Sequence, residues 1–237
     1  MVYSFFIKKS FFLSCIFLFA CYTMISFFLL FPTAFAVITG KDDFFLKILA
    51  YFIIPSYTYL FARGYGWFTT NFSVIANSLQ GGIGFAIWGI LIGLYLFLIH
   101  RKLKTTLQLP AGCLRLLPAA LILLFFAITT PYLPNDMPLK ASLHIVFAFL
   151  SGVLILLYFL WIIVLQYRQA PGLYRPLFTG IIAIITGSCF LFLLAGIVSS
   201  ALETFLTVSI SILAYRLWEK LMCDNSHSCK EDRFCSS

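Results

Sequence analysis

The sequence predicts an all-α polytopic membrane protein, a six-helix transmembrane bundle with one interfacial or re-entrant segment after the first span. Three observations predict it. Hydrophobic residues make up 62% of the 237 and charged residues only 10%, against about 25% charged residues in a soluble domain, so the chain cannot cover itself in water. Six apolar runs reach the length of about 20 residues that a helix needs to cross the hydrocarbon core: roughly 10–31, 82–100, 116–133, 141–166, 177–198 and 201–218. The basic residues behind the formal charge of +8 sit at the ends of these runs and form no stripe. That distribution excludes a nucleic-acid surface and marks topology instead.

The first run follows Lys8 and Lys9 and is trailed by Ala34-Phe35-Ala36, which mimics a signal-peptidase site. Its apolar core is longer than the roughly 7–15 residues of a signal h-region, so an uncleaved span is expected. Next comes "FFLKILAYFIIPSYTYLF", Phe44 to Phe61, interrupted by Pro55 and several tyrosines. Its aromatic content suits a helix lying in the interface or dipping into it. A further span is the alternative, and charge decides against it. With six spans, Lys8, Lys9, Arg101, Lys102, Lys104, Arg115, Arg168, Arg175, Arg216, Lys220, Lys230 and Arg233 fall on one side, and only Lys41, Lys47, Arg63 and Lys140 on the other. The positive-inside rule then places both termini in the cytoplasm, with a bacterial cytoplasmic membrane as the expected site. Asp42, Asp43, Asp136 and Glu203 fall on the outer face. The chain reads as one transmembrane domain, 1–222, followed by a polar cytoplasmic tail, 223–237.

Helices in lipid associate through close backbone contact and shared polar groups. Gly82, Ala86, Gly89 and Gly93 line one stripe of the 82–100 span, and Gly89 and Gly93 form a GxxxG. An intramolecular seam is the first reading, and a homo-oligomer face through Gly89 and Gly93 the second. Glu203, Thr207, Ser211 and Tyr215 recur every four residues in the last span. They should face the bundle, towards Ser151 and Gly152 of one helix and Thr186, Gly187 and Ser188 of another.

One membrane face collects the unusual side chains. His144, Glu203 and Asp136 are the candidates for acid–base chemistry. Arg63, Trp67, Asn71, Asn77, Ser151, Thr207 and Ser211 are the candidates for ligand contact. Each has a plainer role. Ser200-Ala201-Leu202-Glu203 fits a capping box. Asp136 precedes Pro138 as a helix-start residue. His144 could simply make a structural hydrogen bond, although an ionisable group in a span is a functional candidate by default. "GYGWFTTNFSVIANSLQGG", Gly64 to Gly82, is a polar loop or, on the sharper reading, a lid over a His144–Glu203 mouth. Asn71-Phe72-Ser73 also matches the glycosylation triplet. In the tail, Cys223, His227, Cys229 and Cys235 lack a zinc-finger spacing, and Cys223 beside the membrane is a candidate for acylation. No metal or cofactor is expected, and the expected partners are membrane lipids, not nucleic acid. P-loop, G-x-S-x-G, H-E-x-x-H and paired C-x-x-C motifs are absent from the sequence.

"GWFTTNFSVIAN" before "FAIWG", the fourth span opening "ASLHIVFAFLSG" and the last span opening "ALETFLTVSISILAYRLW" together resemble the bacterial membrane family numbered 998 among domains of unknown function, and more loosely the DRAM-like membrane proteins. The resemblance covers roughly 60–220 and rests on His144 and Glu203. It implies a multi-pass membrane fold and brings no chemistry with it. The expected function is therefore binding or sensing of a lipid or amphiphile in an outer-leaflet polar pocket. An intramembrane hydrolase or transferase using His144 and Glu203 is the alternative, and a small-solute transporter the third reading.

Overall fold

The computed structural model describes residues 41–77 and 81–234, with side chains described over 43–77 and 81–224. The expected first span, 10–31, lies outside the described residues. Among the described residues the fold is all-α, with six helices long and apolar enough to cross a membrane. Helix α1 runs through Lys41–Ile48, a π-helical turn Leu49–Ile53 and Ile54–Ala62. A short α2, Phe72–Ala76, follows. Then come α3 (Gly81–Thr106), α4 (Ala111–Thr129), α5 (Pro138–Gln169), α6 (Pro171–Ala195) and α7 (Ser200–Phe234).

α1 corrects the expectation of an interfacial or re-entrant segment. Its stretch Asp43–Ala62 is of spanning length, and its two ends meet opposite ends of α3. Asp43 binds Lys102 near the end of α3, while the Tyr57 hydroxyl donates to the Gly84 carbonyl near its start, 3.0 Å away. The 18 residue steps of α3 from Gly84 to Lys102 rise by about 27 Å, so α1 runs along most of the length of α3. Pro55 does not break it. Proline has no N–H and crowds the preceding turn, and the chain responds by widening that turn, the Ile54 N–H reaching back five residues to the Leu49 carbonyl. Of the tyrosines that suggested an interface, Tyr51 lies edge-on to Tyr215 of α7 at 5.8 Å and Tyr57 bonds to Gly84, whereas Tyr59 is exposed.

The remaining helices alternate in direction. Two ends of the bundle result, a basic end around Lys102 and a second end around His144. α7 is the central helix: 67% of its apolar window is buried, against 22% to 33% for the other five. The reason is chemical. α7 carries the most hydroxyls, and surrounding it with helices keeps them out of hydrocarbon, where an unpaired polar group is expensive. α6 and α5 approach it through small residues, Gly187 beside Phe205 and Gly152 beside Leu206. The faces turned away from α7 carry exposed Ile83, Ile90, Phe125 and Leu193, as lipid-facing surfaces should.

The glycine stripe of α3 is divided between environments. Gly82 is exposed and Ala86 half-buried. Gly89 is buried against Ile128 of α4, whereas a Cβ at Gly93 would meet nothing within 4 Å. Gly89 thus takes part in intramolecular packing, the first of the two readings of the stripe, while Gly93 faces open space. α7 also continues as helix past Cys223 to Phe234, so the boundary expected at 223 falls inside a helix.

With α1 crossing, Lys41 joins the Lys102 end. Cysteines introduced as Lys41→Cys and Lys104→Cys are expected to react with an impermeant maleimide from the same side of the bilayer, and Asp136→Cys from the other. Labelling of position 41 together with position 136 would return α1 to the interface.

Candidate functional site

The His144 end is where side chains from four segments converge. After α1, Gly64 takes a left-handed turn with φ +90°, and the chain runs across the start of α7. The Thr70 carbonyl accepts from the Ser200 N–H at 2.7 Å and the Ser200 hydroxyl at 3.0 Å, and the Trp67 carbonyl accepts from the Ala201 N–H at 2.9 Å. Asn71 then caps α2, its side-chain oxygen accepting from the Val74 N–H at 2.8 Å. Asparagine is favoured there because its carbonyl reaches an otherwise unpaired helix-start amide. This single turn of helix points Ser73 into the bundle and Val74 outward.

Ser73 meets His144 of α5. The hydroxyl oxygen lies 2.5 Å from Nε2, and Nδ1 lies 2.9 Å from the Thr130 carbonyl oxygen at the end of α4. A carbonyl can only accept, so Nδ1 carries the hydrogen. In the neutral ring Nε2 is then the acceptor, and Ser73 donates to it. Both residues are buried. Phe85 and Tyr132 flank the imidazole, with ring centroids 6.5 Å and 5.6 Å away.

Glu203 of α7 reaches the neighbouring residue. Its Oε2 accepts from the Phe72 N–H at 2.6 Å, a charge-assisted bond when the carboxylate is ionised. The expected capping box does not form. Ser199 caps α7, its hydroxyl accepting from the Leu202 N–H, while Ser200 is engaged by Thr70. Glu203 is thereby released to cross to α2. The Phe72 ring packs edge-on against Phe61 and Trp88, both at 5.2 Å, and Trp88 stacks on Phe85 at 5.7 Å. These rings seal the polar contacts from the apolar layer.

The other candidates are dispersed or locally satisfied. His144 pairs with Ser73 and not with Glu203 or Asp136. Asp136 is exposed, and the cap of α5 is Met137, with no side-chain bond. Arg63 is exposed at the end of α1. Trp67 stacks on Tyr59, Asn71 serves as the α2 cap, and Asn77 donates to the Tyr132 carbonyl. Ser151 donates to the Ala120 carbonyl at 2.9 Å and joins α5 to α4. Ser211 donates to the Thr207 carbonyl, and its own carbonyl accepts from Tyr95. The Ser151 and Ser211 hydroxyls are thus each satisfied by a backbone carbonyl. Ser73 is the residue that sequence reasoning passed over. The signal was the Asn71 cap, since a helix starting there puts Ser73 in its first turn.

Three buried polar atoms near this end have no hydrogen-bond partner: Thr58 Oγ1 of α1, Trp88 Nε1 of α3 and Thr204 Oγ1 of α7. Thr58 lies four residues before the end of α1, and Thr204 four after the start of α7, so both sit about 6 Å inside their helix ends. No group of three or more His, Cys, Asp or Glu among the described residues could hold a metal ion. Comparison with protein-family models, with curated proteins and with solved structures finds no match.

Proposed function

We propose that this multi-pass membrane protein binds an amphiphile at the His144 end, with the segment 63–77 as its cover. One observation carries the reading, the unpartnered hydroxyls of Thr58 and Thr204 together with the indole N–H of Trp88. A helical threonine in lipid ordinarily satisfies itself by donating to the carbonyl one turn back, as Thr105, Thr129, Thr179 and Thr186 do. Thr58 and Thr204 forgo that bond although both are buried. Leaving such a group empty costs about 1–3 kcal/mol. A polar head group able to accept hydrogen bonds would remove that penalty, and its chains would lie along the exposed apolar faces.

Orientation follows from charge. Lys41, Lys47, Arg101, Lys102, Lys104, Arg115, Arg168, Arg175, Arg216 and Lys220 lie towards the Lys102 end, and Arg63 and Lys140 towards the other. By the positive-inside rule the Lys102 end is cytoplasmic and the head-group site belongs to the opposite leaflet. Deeper in α7 the Ser211 hydroxyl and carbonyl are engaged within the bundle, which weighs against a solute path.

The test replaces the hydroxyls isosterically. Thr58→Val and Thr204→Val together remove two hydrogen bonds of about 1 kcal/mol each, so retention of the bound amphiphile is expected to fall about 30-fold. Mass spectrometry of lipids carried by the purified protein, against empty nanodiscs of the same composition, reads the change. If wild type enriches no species and the double variant is simply more stable, the hydroxyls are unfilled and the binding reading fails.

A further inference from the structure

We propose that Ser73 is a nucleophile and His144 its general base, acting on an ester-bearing amphiphile held at this end of the bundle. The inference rests on the binding reading above and names its substrate class. Its first support is geometry. A serine hydroxyl is a weak nucleophile until a base lies within hydrogen-bond reach of its proton and a third group orients that base. All three parts are present: the Ser73 hydroxyl 2.5 Å from Nε2, the Nε2 lone pair free to accept, and Nδ1–H held by the Thr130 carbonyl at 2.9 Å. The three come from separate segments, α2, α5 and the end of α4, so no local turn geometry brings them together.

The second support is the unpartnered donor beside them. Trp88 Nε1 is buried without an acceptor. Its ring system touches both Phe72, the residue before Ser73, and Phe85, which packs on the His144 ring. A fixed N–H donor in a dry site is what a developing oxyanion requires.

The reaction balances without further reagents than water. Ser73 Oγ attacks the ester carbonyl carbon while its proton passes to Nε2. The tetrahedral intermediate collapses with cleavage of the bond to the alcohol oxygen, which takes the proton from Nε2 and leaves as the alcohol. The acyl group remains on Ser73. A water molecule then attacks the acyl carbon while giving a proton to Nε2, the bond from the acyl carbon to Ser73 Oγ breaks, Oγ takes the proton back from Nε2, and the carboxylic acid departs.

The experiment exposes the full-length protein in nanodiscs to a long-chain alkyl fluorophosphonate and maps adducts by peptide mass spectrometry. The expected result is one adduct on Ser73, absent in Ser73→Ala. His144→Gln, which retains an acceptor and a donor but cannot serve as a base, should slow labelling about 10²- to 10⁴-fold. Wild-type protein that is folded yet unlabelled at Ser73 would overturn the proposal, as would equal labelling rates in wild type and His144→Gln. The same samples report lipid enrichment. Enrichment without labelling rejects the catalytic pair and leaves binding intact, whereas loss of enrichment rejects the reading beneath it.

Discussion

Replacing Gly81 with alanine is expected to be the most damaging single-methyl change in the bundle. Gly81 opens α3 where the chain arrives from α2. A Cβ there would lie 1.9 Å from the Ile75 carbonyl oxygen, 2.8 Å from its carbon and 2.9 Å from the Ala76 Cα. All three are backbone atoms, so no side-chain rotation relieves the clash. The backbone of α2 cannot retreat freely either, because Phe72 is bound to Glu203 and Ser73 to His144. Overpacking by a methyl group typically costs about 1–3 kcal/mol, and a site closed on backbone belongs at the upper end of that range or beyond. Gly93→Ala is the control: its Cβ meets nothing within 4 Å, and the change should stay within about 0.5 kcal/mol. Unfolding of the reconstituted protein in a graded denaturing detergent measures both. Equal midpoints for the two variants would show that the α2–α3 junction is not tightly held.

Asp43→Ala is expected to loosen the opposite end. Asp43 Oδ1 accepts from Lys102 Nζ at 2.8 Å and from Trp218 Nε1 at 3.1 Å, and Lys102 lies 4.9 Å above the Trp218 ring centre. One carboxylate oxygen thus joins α1, α3 and α7. Its removal leaves the Trp218 N–H without an acceptor in a residue only 5% exposed, a loss of about 1–3 kcal/mol. Lys102 suffers less, because 28% of its side chain is exposed and its ammonium can reach solvent. A total of about 2–3 kcal/mol is expected, with Asp43→Asn milder because the amide oxygen still accepts. A double-mutant cycle with Lys102→Ala should return a coupling of about 1 kcal/mol. Zero coupling would mean that α1 does not pack beside α3.

These two changes mark where the sequence was legible and where it was not. The five apolar runs from residue 82 onward announce themselves, and each becomes a helix, because spanning length and internal hydrogen bonding are local requirements. Residues 44–61 were harder. Pro55 and three tyrosines in a run of spanning length read as interruptions, and only the π turn and the inward partners of Tyr57 and Tyr51, Gly84 and Tyr215, remove the objection. Charge counting misplaced Asp43 for the same reason, since a side chain's membrane face depends on how many crossings precede it.

The site divides the same way. His144 and Glu203 stood out because ionisable groups in spans are rare, and both do lie at one end of the bundle. Their partners were illegible. Glu203 could equally have closed on its own helix start, and only the capture of Ser200 by Thr70 turns it towards Phe72. Ser73 carried no distinction beyond its place after Asn71, and its meeting with His144 joins residues 71 positions apart.

Composition and periodicity determined by themselves that this protein is helical and embedded in lipid, because the free energy of placing each residue in hydrocarbon is a property of that residue and its own helix. Which hydroxyl faces which imidazole, which carboxylate ties three helices and which threonines are left unpaired were decided only by tertiary packing. Hydrogen bonds act over about 3 Å, and no local pattern records which distant side chains will come within that reach.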